Sequence, residues 1–455
     1  MPITETELLI LGGGPGGYVS AIRAGHLGIK TILVERDKVG GVCLNYGCIP
    51  TKALLSKTAL LSEIKRGKRF GLTADNVKID FSKLQKYKKQ VVSAAAKGIE
   101  LLLKSAGVKV IHEEGVFLNE CTLELSSGDL ISFNHAIIAA GSRNLNLPGI
   151  YADNRFVYDS TGLLELEKIP KSLLVIGGGA IGLELGLIFN RLGTEVTVVE
   201  MMEEILPGMD RELAGILRNV LFREGMKFHT GAMVKSLRAG DDSIEAQFND
   251  DAKLFRFEKA LLSAGRLPNI ESLKNLGLEL QTGSFVKVDS SMRTSVENLY
   301  AIGDVAGPPL LAHKASHQGI TAVEAIAGHP HMTSSPIPSA VFTEPEFASV
   351  GLTLEQAESQ EIKAESYSFP LRGLGRAKAM GANDGAFKII TNDEGKILGA
   401  HILAPNAGDL IAEAALAIKQ GLSVTDLADT IHVHPTLSEG VMEAALLARG
   451  KRIHI

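Results

Sequence analysis

Cys43 and Cys48 stand five residues apart in GGVCLNYGCIPTK, the stretch from Gly40 to Lys52. Two thiols this close can open and close a disulfide, and so take up and pass on two electrons. Only three cysteines occur in 455 residues, too few for a disulfide scaffold, so in a reducing compartment the pair reads as catalytic. On a straight helix five residues rise about 7.5 Å, whereas a disulfide needs its Cα atoms within roughly 4.4–6.8 Å. The segment must therefore bend between the cysteines. Gly47 gives the backbone that freedom, and Pro50 suits the first turn of a helix expected over Lys52 to Ser62. A helix N-terminus beside Cys48 would favour its thiolate. The third cysteine, Cys121 in FLNECTLEL, alternates within an expected strand and reads as a core residue.

A second group of reactive side chains lies near the C-terminus, in HVHPTLSEG from His432. His434 precedes Pro435, which biases it toward extended backbone and lets the imidazole project for acid–base work. Glu439 has two readings. It could orient the histidine, or it could close a capping box with Thr436 at the start of the last helix; both remain open.

These groups need a scaffold, and one unit is written twice. Leu8 to Glu35 reads LLILGGGPGGYVSAIRAGHLGIKTILVE, and Leu173 to Glu200 reads LLVIGGGAIGLELGLIFNRLGTEVTVVE, aligned without a gap. Each is a buried strand, a glycine turn, a helix and a second strand. G-x-G-x-x-G falls at Gly12, Gly14 and Gly17, and again at Gly177, Gly179 and Gly182, with Glu35 and Glu200 closing the second strands. Glycine allows the tight turn and the approach of a pyrophosphate, which rests on the N–H groups of the helix N-terminus. The acid accepts hydrogen bonds from ribose hydroxyls. Because it would repel a 2′-phosphate, Glu200 favours NAD over NADP. Glu184 has Val19 as its counterpart in the first copy, so the repeat does not itself demand a carboxylate there; a helix-start glutamate favoured by the dipole is the plainer alternative.

Between the copies, Lys109 to Leu130 reads as short strands and His135 to Gly141 as a buried strand. Helix and strands run on to about Gly265, and Leu299 to Gly307 is a strand feeding a Gly-Asp turn. From Pro336 the pattern changes to spaced strands such as Ala386 to Ile390, then an amphipathic helix around Asp409 to Gln420. A net charge of −5 supplies no basic field for nucleic acid or anionic lipid. No run of about eighteen apolar residues suits a bilayer span, and Met1 to Glu7 carries no address. A cytoplasmic protein without nucleic-acid or membrane partners, and without a metal site, is expected.

Taken together, these stretches resemble the flavin-linked pyridine nucleotide–disulfide oxidoreductases along essentially the whole chain. GPGGYVSAIRAGHLG, GGVCLNYGCIPTKALL, LLAHKASHQG at Leu310 and HVHPTLSEGVMEAAL carry the likeness. It implies an α/β fold, with two Rossmann-like dinucleotide-binding domains and a C-terminal α+β dimerisation domain. The boundaries expected are 1–145 for FAD, 146–267 for NAD, 268–335 completing the FAD domain and 336–455 for the interface.

By the same resemblance, FAD is held by Gly12, Gly14, Pro15, Gly16, Gly17, Glu35, Arg36, Gly41, Cys43, Lys52, Gly115, Gly141, Asp304 and Ala312. NAD is held by Gly177, Gly178, Gly179, Ala180, Ile181, Gly182, Glu184, Glu200, Gly265 and Arg266, and Glu184 pairs with Lys52 beside the flavin. Catalysis falls to Cys43, Cys48, His434 and Glu439, the last two completing the site of the other subunit in a homodimer.

Family members that reduce glutathione disulfide tend to carry Ser where Leu437 stands, and those that reduce mercuric ion end in an extra cysteine pair, whereas this chain ends KRIHI. The signature is most similar to members that oxidise dihydrolipoamide, or lipoylated domains of 2-oxo acid dehydrogenase or glycine cleavage complexes. Two rivals are a reductase of another small disulfide and a redox-silent flavoprotein serving as a binding subunit. Val42 and Ala140 stand where many relatives have Thr, and Glu344 where many have His.

Overall fold

The computed structural model describes residues 3–249, 253–329 and 335–454. Strand β1 (Ile3–Leu11) enters the first glycine turn, helix α1 (Pro15–His26) leaves it, and β2 (Thr31–Val34) returns parallel to β1. Leu8 to Leu11 and all of β2 are buried, as an unbroken apolar run requires of a parallel strand covered on both faces. Helices α2 (Gly41–Tyr46), α3 (Cys48–Gly67) and α4 (Phe81–Ser105) follow, then β3 (Lys109–Ile111), β4 (Gly115–Asn119), β5 (Thr122–Leu125) and β6 (Leu130–Ile138). The sheet order is β3-β2-β1-β6-β5-β4.

Cys121 is not the core strand residue that the alternation predicts. Asn119 pairs with Thr122 across β4 and β5, so Glu120 and Cys121 form the tip of a hairpin. Cys121 is exposed there, its N–H and Sγ turned to Asn119 Oδ1 at 3.0 and 3.2 Å.

The second unit repeats this plan. After β7 (Ser142–Asn144), β8 (Val157–Tyr158) and α5 (Ser160–Leu164) come β9 (Ser172–Ile176), α6 (Ala180–Arg191), β10 (Glu195–Glu200), α7 (Arg211–Arg223) and β11 (Lys227–Thr230). An antiparallel excursion, β12 (Val234–Ala239), β13 (Ile244–Phe248) and β14 (Leu254–Phe257), leads to β15 (Lys259–Leu262). The parallel order is β11-β10-β9-β15-β8. The chain then crosses back. Strand β16 (Arg266–Pro268) pairs with β7, a small hairpin of β17 (Leu280–Gln281) and β18 (Phe285–Val286) follows, and β19 (Leu299–Ala301) joins β6 in the first sheet. Helix α8 (Ala312–Ile326) lies on α1 so closely that a Cβ at Gly319 would stand 2.7 Å from the Gly16 carbonyl oxygen.

The C-terminal domain contains β20 (Ser339–Val341), β21 (Glu346–Gly351), α9 (Leu354–Ser359), β22 (Ala364–Pro370), α10 (Gly375–Met380), β23 (Ala386–Asn392) and β24 (Ile397–Ala404). Helices α11 (Ala407–Gln420), α12 (Val424–Asp429) and α13 (Glu439–Ala448) follow. The antiparallel order is β20-β21-β24-β23-β22, and Ile411, Ala414, Val441 and Ala445 share a core with Phe387 and Ile402.

Helix α3 ties the three parts together. Leu54 and Leu55 share one buried cluster with Leu183 and Leu187 of α6 and with Val341 and Phe347 of the C-terminal sheet. Burial of each such leucine stabilises by about 1.5–3 kcal/mol, so the helix carrying Cys48 is bedded against both neighbours. Among the described residues, no helix is long and apolar enough to cross a membrane.

Candidate active site

The chain bends at Gly47, whose φ of −136° and ψ of −99° separate α2 from α3. The bend brings Cys43 and Cys48 to a Cα separation of 4.8 Å, and they form a disulfide. Cys48 is the first residue of α3, four residues earlier than the sequence pattern placed the helix start. Its sulfur therefore lies at the positive end of the helix dipole, where a thiolate is favoured.

The disulfide segment is folded over the first fingerprint. Gly40 N–H donates to the Gly13 carbonyl at 2.8 Å, and a Cβ at Gly41 would stand 2.7 Å from Gly14 Cα. Asn45 Nδ2 holds the turn by donating to the carbonyls of Val39 and Gly41 at 3.1 and 3.0 Å.

The two fingerprints share one geometry. Gly12 and Gly177 have φ of +105° and +106°, and a Cβ there would meet the carbonyl oxygens of Ala139 and Ser263 at 2.3 and 2.5 Å. Gly14 and Gly179, which precede α1 and α6, face open space, and no side chain caps either helix. Glu35 accepts from Gly13 N–H at 2.6 Å and Asp37 N–H at 2.8 Å. Glu200 accepts from Gly178 N–H at 2.7 Å and Met202 N–H at 2.8 Å. Each carboxylate still has lone pairs for ribose hydroxyls, so both cradles fit a dinucleotide: open space at an uncapped helix N-terminus, with an anchored acid at the adjoining strand end.

Pro15 opens α1 and Gly16 and Gly17 are buried in it, while Ala180 opens α6 with Ile181 partly exposed beside it. Arg36 is exposed and pairs with Glu114 at 3.3 Å. Gly115 starts β4 against Leu123, Gly141 turns with φ of +69° into open space, and Ala312 is the first residue of α8. Asp304 sits in the 3-10 turn Gly303–Ala306 and accepts from Ser142 Oγ at 2.5 Å. Gly265 has φ of +131°. Arg266 donates to Ser142 Oγ, Asn144 Oδ1 and the Ser142 carbonyl, each at 2.7 Å, so its guanidinium is turned to β7.

Lys52 and Glu184 meet across the seam of the two units, with Nζ and Oε2 2.7 Å apart. Glu184 is the fifth residue of α6 and is buried, beyond the first turn where the dipole alone would explain a carboxylate. Its other oxygen accepts from Phe342 N–H at 3.0 Å, and the Phe342 ring lies under the Lys52 ammonium at 4.5 Å. Sequence reasoning missed Phe342. It also missed the clamp two residues on, where Glu344 takes Arg66 of α3 at 2.6 Å and also pairs with Arg191 of α6. Lys314 of α8 is a further omission, a buried ammonium donating to the carbonyls of Gly303 and Gly307 around Asp304. Burial holds its pKa below the ordinary lysine range, though Asp304 pulls the other way.

His434 lies between α12 and α13, joined to Pro435 by a cis peptide. Its Nδ1 is 2.8 Å from Glu439 Oε1, while Glu439 Oε2 accepts from Thr436 N–H at 2.8 Å. Glu439 therefore orients the ring, whereas the capping box expected from Thr436 does not form, because α13 begins at Glu439 itself, directly after Ser438, and no side chain caps it. The Thr436 hydroxyl turns instead to the Val433 carbonyl and Ser438 Oγ. Burial raises the Glu439 pKa, but the Thr436 N–H and the two histidines His434 and His432 outweigh it and hold the carboxyl below its usual range. With Nδ1–H directed at the carboxylate, Nε2 of a neutral ring is left with its lone pair outward. The ring is 74% exposed, and no hydrogen bond joins it to Cys43 or Cys48 among the described residues.

Residues 6–319 match the pyridine nucleotide-disulphide oxidoreductase family, and residues 337–445 match its dimerisation domain. The chain belongs to this family. Dihydrolipoyl dehydrogenase of Geobacillus stearothermophilus is 44% identical, covering 99% of this chain and 98% of its own. The dihydrolipoyl dehydrogenase of Bacillus subtilis is 42% identical over the same shares. Among solved structures, LpdA of Mycobacterium tuberculosis superposes with a TM-score of 0.89 at 28% identity, covering 97% of this chain and 99% of that one. The HOCl-induced flavoprotein disulfide reductase RclA of Escherichia coli gives 0.84 at 26% identity, covering 96% and 98%.

Proposed function

We propose that this chain oxidises dihydrolipoyl groups, using FAD and NAD+, the activity for which its full-length relatives are named. The observation that carries the reading is the disulfide at the α2–α3 bend, folded over the first fingerprint and tied by Lys52–Glu184 to the second. FAD fits the cradle of Gly12 to Gly17 and Glu35, with Lys52 and Asp304 toward its flavin end. NAD fits that of Gly177 to Gly182 and Glu200. Bound there, the two cofactors supply the acceptor for an electron pair leaving the dithiol.

The residues of the chain do the sulfur and proton chemistry. His434 Nε2 takes a proton from one substrate thiol, and Glu439 steadies the resulting imidazolium. The substrate thiolate attacks Cys43 Sγ, the Cys43–Cys48 bond breaks, and Cys48 leaves as a thiolate at the start of α3. The second substrate thiol then displaces Cys43, closing the cyclic disulfide of the product. Two electrons and two protons now reside on the cysteine pair and His434.

Since His434 has no bond to the cysteines of its own chain, the reading includes a homodimer in which it serves the partner's disulfide. The dimerisation domain and the exposure of Ile431 (96%) and Val433 (74%) beside His434 support this arrangement. The partners are then lipoylated domains of 2-oxo acid dehydrogenase or glycine cleavage complexes, met in the cytoplasm.

The test is spectral. Dihydrolipoamide added without oxygen to the purified holoenzyme should bleach the flavin, and NAD+ should restore the colour with formation of NADH. A flavin that stays oxidised would sink the reading.

A further inference from the structure

Lys314 is the third residue of α8, and the sulfur and proton chemistry above makes no use of it. It is 6% exposed. A cation in the first turn of a helix lies against the dipole, and no carboxylate stands within ion-pair distance of its Nζ among the described residues. Its partners are two carbonyl oxygens, that of Gly303 at 3.3 Å and that of Gly307. Burying a lysine head on carbonyls alone is costly, so the position answers a local need.

The need lies in the turn itself. Gly303 and Gly307 bracket Asp304, Val305 and Ala306, and both glycines have left-handed backbone, with φ of +72° and +110°. Glycine enters that region no more readily than several others, and the bond across the turn, Gly307 N–H to the Asp304 carbonyl, is 3.2 Å long. Lys314 Nζ spans the turn by holding the carbonyl at each end. Gln318 Oε1, one helical turn further along α8, takes the Gly303 N–H at 2.8 Å. Two carbonyls need two N–H groups, which a lysine head has with or without its extra proton.

Asp304 is also held from its other side. Its Oδ2 accepts from Ser142 Oγ at 2.5 Å, which leaves Oδ1 without a partner among the described residues. We infer that Lys314 is a positioning residue for the flavin cradle: by clamping both ends of the Gly303–Gly307 turn it fixes where Asp304 Oδ1 is presented to FAD. The inference rests on the function proposed above through its placement of FAD beside Asp304.

The experiment titrates the full-length apoprotein with FAD, read by flavin fluorescence, and follows hydrogen exchange at the amides of the turn. Lys314→Met keeps a stem of similar length and removes the donors. With about a tenth of the unclamped turns remaining competent, the dissociation constant for FAD rises about tenfold. Exchange at the turn should quicken while β1 and β6 keep wild-type rates, and the holoenzyme's affinity for NADH should stay within about twofold. Asp304→Ala weakens FAD by itself. In that background Lys314→Met should add less than about twofold, because the group it positions is gone. Lys314→Gln keeps a donor for one carbonyl and should weaken FAD by a smaller factor; it decides the question if the methionine variant does not fold.

Wild-type FAD affinity and turn exchange in these Lys314 variants, an equal loss of NADH affinity, or a loss on top of Asp304→Ala as large as in the wild-type background would overturn the inference and leave dithiol oxidation standing. A wild-type apoprotein that takes up no FAD would overturn both.

Discussion

The ammonium of Lys52 is shared between the carboxylate of Glu184, 2.7 Å away, and the face of Phe342, 4.5 Å away. The helix that begins at Cys48 is thus joined to the helix that begins at the second fingerprint, with a residue of the C-terminal domain closing the contact. Disulfide and second fingerprint share one seam.

Glu184→Gln keeps an acceptor for the Phe342 N–H but removes the charge facing Lys52. Loss of a charged hydrogen bond at a mostly buried site should cost about 1–3 kcal/mol of stability. It should also slow flavin reduction by dihydrolipoamide at least tenfold. Denaturant unfolding reads the first effect and stopped-flow absorbance the second; wild-type values in both would contradict the role given to this pair.

Replacing Cys48 with Ser removes the sulfur that leaves at the helix N-terminus. Dithiol oxidation should fall by more than about a thousandfold, because no exchange is possible without the second sulfur. Oxidation of NADH by an artificial acceptor should persist. A Cys48→Ser protein that still turns over dihydrolipoamide at full rate would remove the disulfide from the mechanism.

For His434→Gln a loss of about 100-fold or more in kcat/KM is expected, the usual contribution of a positioned acid–base group. Glu439→Gln should lose less. The Glu439 carboxyl is held below its ordinary range in the folded chain, so the unfolded chain binds its proton first as pH drops. The stability it contributes is present above pH 4.5 and is lost as pH falls through the lowered folded value. Urea titrations of wild type and Glu439→Gln at pH 7 and pH 4 should therefore converge on the acid side.

Buried His401 gives a second pH dependence. Its Nδ1 is 3.0 Å from Ser349 Oγ and its Nε2 3.0 Å from the Leu352 carbonyl, and burial depresses its pKa below 6.5. Above pH 6.5 neither folded nor unfolded ring is charged. Below it the unfolded chain takes a proton that the folded site refuses, so stability drops as pH falls, by at most about 1.4 kcal/mol per pH unit. The slope of unfolding free energy between pH 6.5 and 5 should flatten in His401→Gln; an unchanged slope would assign it elsewhere.

The fingerprints and the cysteine pair were legible because their chemistry is local. A glycine turn, the helix behind it and the acid closing the next strand are fixed within about thirty residues, and Gly47 marks the bend the sulfurs need. Phe342, Glu344, Arg66 and Arg191 were not legible. Each acts only because α3, α6 and the loop after β20 come together in space, and nothing in the local pattern of any one names its partners. Cys121 failed for another reason: it lies in phase with Phe117 and Leu123, both buried, but the chain turns tightly between them, and sequence phase does not show that the tip leaves the core.

Glu35 and Glu200 each bridge two backbone N–H groups of their own loops. Each acid thereby pins the end of its strand to the glycine turn beside it. In the function proposed, one fixed spacing between acid and helix N-terminus serves two different carriers of electrons.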